Sequence, residues 1–267
     1  MSLSPLFVQS LDKGLRVLEA FDRAEQFLGL TEIAALTGLD KSAAQRFTHT
    51  LEKLGYLEKC PKTKRFSLGK KTLGLAFNYL RSNPLVEAAT PALVELKRHC
   101  GERVTLSLFD DTTIIHVVRQ QSKREYFHSS LIGRRMPTFC SAGGRAMLAQ
   151  LPEAQVKDIV ARSELVPLTG QTITEPRRIF AKVKEARAKG FATILGECVI
   201  GEVALAAAVL DADGLPTAAV HIQGSAGEWT NEQFEQRFAP LAIETAQSLS
   251  RISATGQPQS DRRKMAG

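Results

Sequence analysis

The 267-residue chain has no Cys-x-x-Cys pair, and its four cysteines, Cys60, Cys100, Cys140 and Cys198, lie far apart. That spacing argues against a structural zinc site and against a disulfide scaffold. No Gly-x-Ser-x-Gly elbow, Gly-x-x-x-x-Gly-Lys-Ser/Thr loop, Gly-x-Gly-x-x-Gly turn or His-Glu-x-x-His pair occurs, so the common signatures of hydrolases, nucleotide enzymes and zinc proteases are missing. The longest apolar run, Val203 to Leu210, is eight residues, far short of the roughly 20 that span a bilayer. The N-terminus lacks the charged, apolar, then small-residue order of a signal peptide. These absences predict a cytosolic protein with reduced thiols, no metal, no cofactor, no membrane partner and no catalytic residue. Acidic residues are also missing in one place: from Lys59 to Lys71 there are six Lys or Arg and no Asp or Glu.

What is present fits a soluble globular protein, with 43% hydrophobic and 24% charged residues. The length suits two ordinary cores better than one large one. Net charge is +7, and residues 1–80 hold twelve Lys/Arg against eight Asp/Glu. The excess therefore gathers around the unmixed basic run, and an unmixed run favours phosphate contact over mere solvation.

That run follows a helix, a glycine turn and a second helix. Thr31 is placed to cap Glu32-Ile33-Ala34-Ala35-Leu36, and Gly38 supplies a left-handed stop. The next helix starts near Asp40 or Lys41 and ends at Leu54-Gly55, with Ala44, Phe47, Leu51 and Leu54 as its buried stripe. Ser42, Gln45, Arg46 and His49 share the opposite face, which is what major-groove reading needs. Tyr56-Leu57-Glu58 and Arg65-Phe66-Ser67-Leu68 then form a hairpin with a turn at Pro61 to Lys64. Lys41, Lys62, Lys64 and Arg65 are expected on phosphates and the recognition face on bases. A first helix from Ser10 to Phe21, with Leu11, Leu15, Leu18 and Phe21 inward, completes a winged helix-turn-helix that binds duplex DNA.

The organisation expected is a DNA-binding domain over 1–70, a linker helix over 71–84, an effector-binding domain over 85–254 and a disordered tail over 255–267. The linker's apolar stripe, Leu73, Ala76, Phe77 and Leu80, either pairs with a second subunit or packs on its own wing domain. Beyond Pro84 the pattern is α+β. Pro91 opens a helix to Cys100; strands are read at Val104–Phe109, Thr113–Val118, Glu125–Leu131, Val203–Leu210 and Thr217–Gln223, and helices at Ser141–Leu151, Pro176–Lys189 and Phe234–Ile252. Hairpins flanked by segregated helices predict an antiparallel sheet of the GAF/PAS-like sensor kind. At Cys140 to Arg145, small residues open a helix. They read either as an anion cradle or as a tight strand-to-helix junction that needs glycine.

In sequence order, Val8-Gln9-Ser10-Leu11, Gly38 to Ser42, Leu54-Gly55-Tyr56-Leu57, Phe66-Ser67-Leu68-Gly69, Gly133 to Pro137, Ser141 to Ala146, Leu168-Thr169, Thr172-Ile173-Thr174 and Gly190-Phe191-Ala192 resemble the IclR family of bacterial transcription regulators. The resemblance covers nearly the whole chain. It implies dimers, often paired into tetramers, on palindromic operators, and a metabolite-binding C-terminal domain. It also implies that an effector's acid group meets Ala142 and Gly143, with His128 and Met136 on one side and His221 and Gln223 on the closing strand. Family members that take small hydrophilic acids carry an acid, a cysteine and two hydroxyls where this chain has Ile194, Ala204, His221 and Gln223. That departure favours an aromatic or otherwise hydrophobic carboxylate over a small aliphatic keto or hydroxy acid, with a metabolite-binding enzyme as the remote alternative.

Overall fold

The computed structural model describes residues 4–22, 26–122 and 132–256, in two compact units that divide between Ser82 and Asn83. The strand read at Glu125–Leu131, the candidate residue His128 and the tail beyond Gly256 lie outside the described residues.

In the first unit, α1 (Gln9–Glu19), α2 (Leu30–Thr37) and α3 (Lys41–Lys53) precede the hairpin β1 (Leu57–Lys59) and β2 (Phe66–Leu68), followed by α4 (Lys71–Ser82). Val17, Phe21, Leu28, Ile33, Leu57 and Phe66 form the core. The inward stripe of α1 is rotated from the one expected: Val17 and Phe21 are buried while Leu11 and Leu15 stay exposed. Gly14 faces the Phe47 ring of α3 at ordinary contact distance. At α2 the cap is Gly29, not Thr31, with its N–H donated to the Glu32 carboxylate at 2.6 Å. Gly38 ends α2 at a φ of 68°, which favours glycine. Asp40 caps α3 by accepting from the Ala43 N–H at 2.8 Å. Within α3, Ala44 and Thr48 are buried, Phe47 and Leu51 half-buried, and Leu54, at the frayed end, exposed. A backbone bridge from Leu28 to Phe66 adds a third edge to the hairpin.

In the second unit, α5 (Pro84–Cys100) begins earlier than expected, because Asn83 caps it by accepting from Leu85 and Val86 N–H and Pro84 fits the first turn. Pro91 lies inside this helix instead of opening it. Among the described residues, six strands then form one antiparallel sheet: β3 (Arg103–Asp110), β4 (Thr113–Gln120), β5 (Arg135–Pro137), β6 (Ala192–Leu195), β7 (Glu202–Leu210) and β8 (Pro216–Ser225), in the order β5-β4-β3-β8-β7-β6. The helices are α6 (Ala142–Leu148), α7 (Glu153–Arg162), α8 (Pro176–Lys189) and α9 (Asn231–Gly256). β5, α7 and β6 were not read from the sequence. α5 and α9 pack on one face of the sheet, while α6 packs on the other with α8 beside it. The central strands are therefore buried on both sides, and β7 is almost wholly apolar as that position requires.

Candidate nucleic-acid interface and effector pocket

On α3, Lys41, Ser42, Gln45, Arg46 and His49 are all exposed. Positions 42, 45, 46 and 49 fall on one helical face, opposite buried Ala44 and Thr48. Lys62 and Lys64 stand exposed in the hairpin turn, where Lys64 takes a φ of 58°. Arg65 departs from the phosphate role expected. Its guanidinium donates to both Glu32 oxygens at 2.8 and 3.0 Å and to the Phe27 carbonyl at 3.0 Å, fastening the wing to α2. The Gly29 amide and then Arg65 hold the Glu32 carboxyl below its ordinary range. Two other wing cations also have local partners: Lys59 lies over the Phe66 ring, and Lys71 donates to the Leu54 carbonyl at the end of α3.

The second unit has a pocket, open to solvent, where β3, β4, β5, β6, β7 and β8 meet the start of α6. Strand register gathers its walls: Arg103 stands opposite Gln223, Thr105 and Ala206 opposite His221, Ala204 opposite Gln223 and Ile194, and Ile114 opposite Met136. Six residues expected at the effector, Met136, Ala142, Ile194, Ala204, His221 and Gln223, line this one cavity. Gly143 is not among them. A Cβ there would strike the His221 ring, and one on Gly144 would lie within 2.6 Å of the Thr138 carbonyl carbon. Both glycines therefore serve close packing, the junction reading of this segment. Ser141 caps α6, accepting from the Gly144 N–H at 3.2 Å and donating to the Pro137 carbonyl at 2.7 Å.

Charged groups stand beside the apolar lining of Ile114, Met136, Ile194 and Ala204. Arg103, Arg119, Arg134, His116 and Glu202 also line the cavity. Arg103 pairs with Glu202 and donates to Gln223 Oε1 at 3.1 Å, which also accepts from Thr105. Arg119 Nε is buried with no hydrogen-bond partner among the described residues. Burial and the Arg103 charge push its guanidinium down to about 10. His221 lies 2.7 Å from Ser107 Oγ through Nε2 and meets His116 edge-on.

The motif residues converge behind this wall. Arg145, fully buried, grips Glu197 at 2.6 and 2.7 Å and donates to the Phe139 carbonyl. The same carboxylate accepts from Ile173 N–H at 3.1 Å, and Thr169 and Thr172 hydroxyls bind the Gly196 and Glu197 carbonyls. The 196–202 loop that closes the cavity is thus tied to α6 and to residues 169–173.

The family description "Bacterial transcriptional regulator IclR C-terminal" matches residues 77–251, and "IclR helix-turn-helix domain" matches residues 10–61. The chain belongs to the IclR family of transcriptional regulators. It is 30% identical over 246 residues to the Pca regulon regulatory protein of Pseudomonas putida, covering 92% of this chain and 84% of that one. It is 27% identical over 251 residues to the p-hydroxybenzoate hydroxylase transcriptional activator of Acinetobacter baylyi, covering 92% of each. The structure of an IclR family transcriptional regulator from Brucella abortus superposes with a TM-score of 0.80 at 25% identity, covering 94% of each chain. As an IclR regulator the chain is a DNA-binding protein, not an enzyme, and its C-terminal domain is of the kind that binds small-molecule effectors. No described helix is long and apolar enough to cross a membrane.

Two features of this IclR domain were hidden in the sequence. Cys140 and Cys198, 58 positions apart, bring their sulfurs within 4.0 Å, and the neighbouring thiol together with burial pushes the Cys198 thiol well up. The second is a pair of neutral histidines. Burial, then Arg103 and Arg119, hold His221 down at about 3, and burial, then His221 and the surrounding arginines, hold His116 well below its usual value. An unfolded histidine titrates near 6.5. As pH falls from 6.5 toward 3 the unfolded chain takes up protons that the folded one refuses, so stability is lost in that window and regained as pH rises. Each histidine contributes a slope of about 1.4 kcal/mol per pH unit. His221→Gln should make the stability profile between pH 4 and 6 shallower by about that amount; equal slopes in urea titrations of variant and wild type would count against a neutral buried His221.

Proposed function

We propose that this IclR regulator couples operator binding by its winged helix to a small carboxylate held in the Arg103, Arg119 and Arg134 cavity. The observation that carries the reading is the Arg119 guanidinium. It faces a cavity shared with two further arginines, and its Nε is buried with nothing in the described residues to accept from it. A buried donor without an acceptor is costly, and a ligand oxygen supplies the acceptor. The relative named for p-hydroxybenzoate hydroxylase supports an aromatic acid and a catabolic operon; a small aliphatic keto or hydroxy acid is the second reading, favoured by the polar groups of the pocket.

In this reading residues 1–70 form the DNA reader, 71–84 the linker and 85–254 the effector domain. Gln45 and Arg46 read adenine and guanine edges, with Lys41, Lys62 and Lys64 on phosphates. The homodimer on a palindromic operator forms through α4, where Leu73, Ala76 and Phe77 are exposed and Leu80 half-covered, and pairs of dimers make the tetramer.

The experiment is selection of operator duplexes from random sequence, followed by anisotropy titration with and without benzoate, 4-hydroxybenzoate or pyruvate. Effector should shift operator affinity by roughly 5–150-fold. Arg46→Ala should relax base preference at one position by about 1–3 kcal/mol, whereas Lys62→Ala should weaken all duplexes alike and reduce the salt slope by about one. Unchanged base preference in Arg46→Ala, or operator affinity indifferent to every acid, overturns the corresponding half of the reading.

A further inference from the structure

We infer that the ligand of this cavity carries two carboxylates. The inference rests on the reading of the cavity as the effector site and adds the ligand's charge. Among the described residues that line it, three guanidiniums face one carboxylate, Glu202. Glu202 is committed to Arg103, which is further held by Gln223 Oε1. Gln223 accepts from Thr105 as well, so that corner of the site is internally satisfied.

Arg119 and Arg134 remain. Neither has a carboxylate within ion-pair distance in the described structure, and they sit at two depths. Arg119 has its Nε fully covered, while Arg134, just before β5, is exposed at the mouth. His116 and His221 add no charge, since burial keeps both neutral near pH 7. Among the described residues, three guanidiniums against one carboxylate leave the lining at a net charge of +2.

A monocarboxylate can meet the covered Arg119 and leaves the exposed Arg134 to solvent. A dicarboxylate can meet one at each depth, with the stronger hydrogen bonds that charged donors and acceptors make together. Between them Ile114, Met136, Ile194 and Ala204 offer an apolar wall for the connecting hydrocarbon. No Phe, Tyr or Trp lines the cavity among the described residues, so recognition falls on the ends of the ligand and not on stacking of its middle.

The test is calorimetric titration of the full-length protein with matched pairs, hexanoate against adipate and benzoate against terephthalate, with inorganic phosphate as a third dianion, all at one ionic strength. At least one dicarboxylate should bind about tenfold or more tightly than its monoacid partner, the advantage of a second charged contact. The aliphatic and aromatic pairs tell which hydrocarbon the wall prefers. Arg119→Gln and, separately, the exposed Arg134→Gln should each reduce that advantage to within a factor of about two while affecting the monoacid less. Monoacids that bind as well as their diacid partners, with binding lost in Arg119→Gln, overturn the two-carboxylate inference and leave the cavity assignment standing. Phosphate that competes as well as the best dicarboxylate also overturns it, in favour of a single dianionic group. If no acid binds at all, the cavity assignment falls together with the inference.

Discussion

Replacing Glu197 by glutamine should destabilise the effector unit by about 3–5 kcal/mol, the usual result of removing one partner from a buried ion pair. The Arg145 guanidinium is 1% exposed, and both its terminal nitrogens donate to the one carboxylate. An amide at 197 can accept only one of those bonds and turns an N–H toward the other donor. The loss spreads further, because the same side chain receives the Ile173 N–H and its backbone anchors Thr172. Urea denaturation followed through the second unit measures the effect. Arg145→Met combined with Glu197→Leu should recover part of the stability, since the uncompensated charge is then gone while the Ile173 N–H and the Phe139 carbonyl still lose their partners. A loss below about 1 kcal/mol in Glu197→Gln would show that the pair is not closed to water.

Gly144→Ala should be nearly as severe, about 3 kcal/mol, at the upper end for overpacking. Its added methyl would meet the Thr138 carbonyl oxygen, Cα and carbonyl carbon, all backbone atoms that cannot rotate away. Moving them means moving the turn that leads from β5 into α6. Gly143→Ala meets the edge of the His221 imidazole instead, a side chain that can shift if it gives up Ser107. We expect it to cost about 1–2 kcal/mol and to abolish the acid-dependent change in operator affinity, leaving ligand-free binding intact. Equal stability losses for the two alanines, or an effector response preserved in Gly143→Ala, would contradict this assignment of the glycines.

Much of the DNA-binding unit was legible because its signals are local. Gly38, the helix start at Asp40 or Lys41 and the polar face of α3 each act within a few residues. The stripe of α1 was misread because four apolar residues suggest two overlapping faces. The buried residues Val17 and Phe21 settle which face is inward, a choice made by packing against distant segments. The cavity was legible where the family resemblance pointed, at Met136, Ala142, Ile194, Ala204, His221 and Gln223. Its cations were not. Arg103, Arg119 and Arg134 sit near strand ends, where a charged residue reads as solvated surface, and only the pairing of β3 with β4 and of β4 with β5 brings them to one place. A signal did exist in β3: Arg103, Thr105 and Ser107 alternate with Val104, Leu106 and Leu108 in a strand covered on both faces. A polar face inside a three-layer domain marks a site. Glu197 had no such signal, since its partners come from segments 24 and 52 positions away.

The route from cavity to unit boundary is short in covalent terms. Arg103 follows α5 by only Gly101 and Glu102, and α5 starts at Pro84, immediately after the Asn83 cap. Those 17 helical residues make a rod of about 25 Å. Pro91 within it removes one backbone hydrogen bond. A displacement of β3 at Arg103 therefore has little slack to absorb it before Asn83, where backbone of extended conformation interrupts the helices. If the proposed coupling runs along the chain, Asn83 is the residue whose backbone it must turn, and a proline there would stiffen that one joint without touching the cavity.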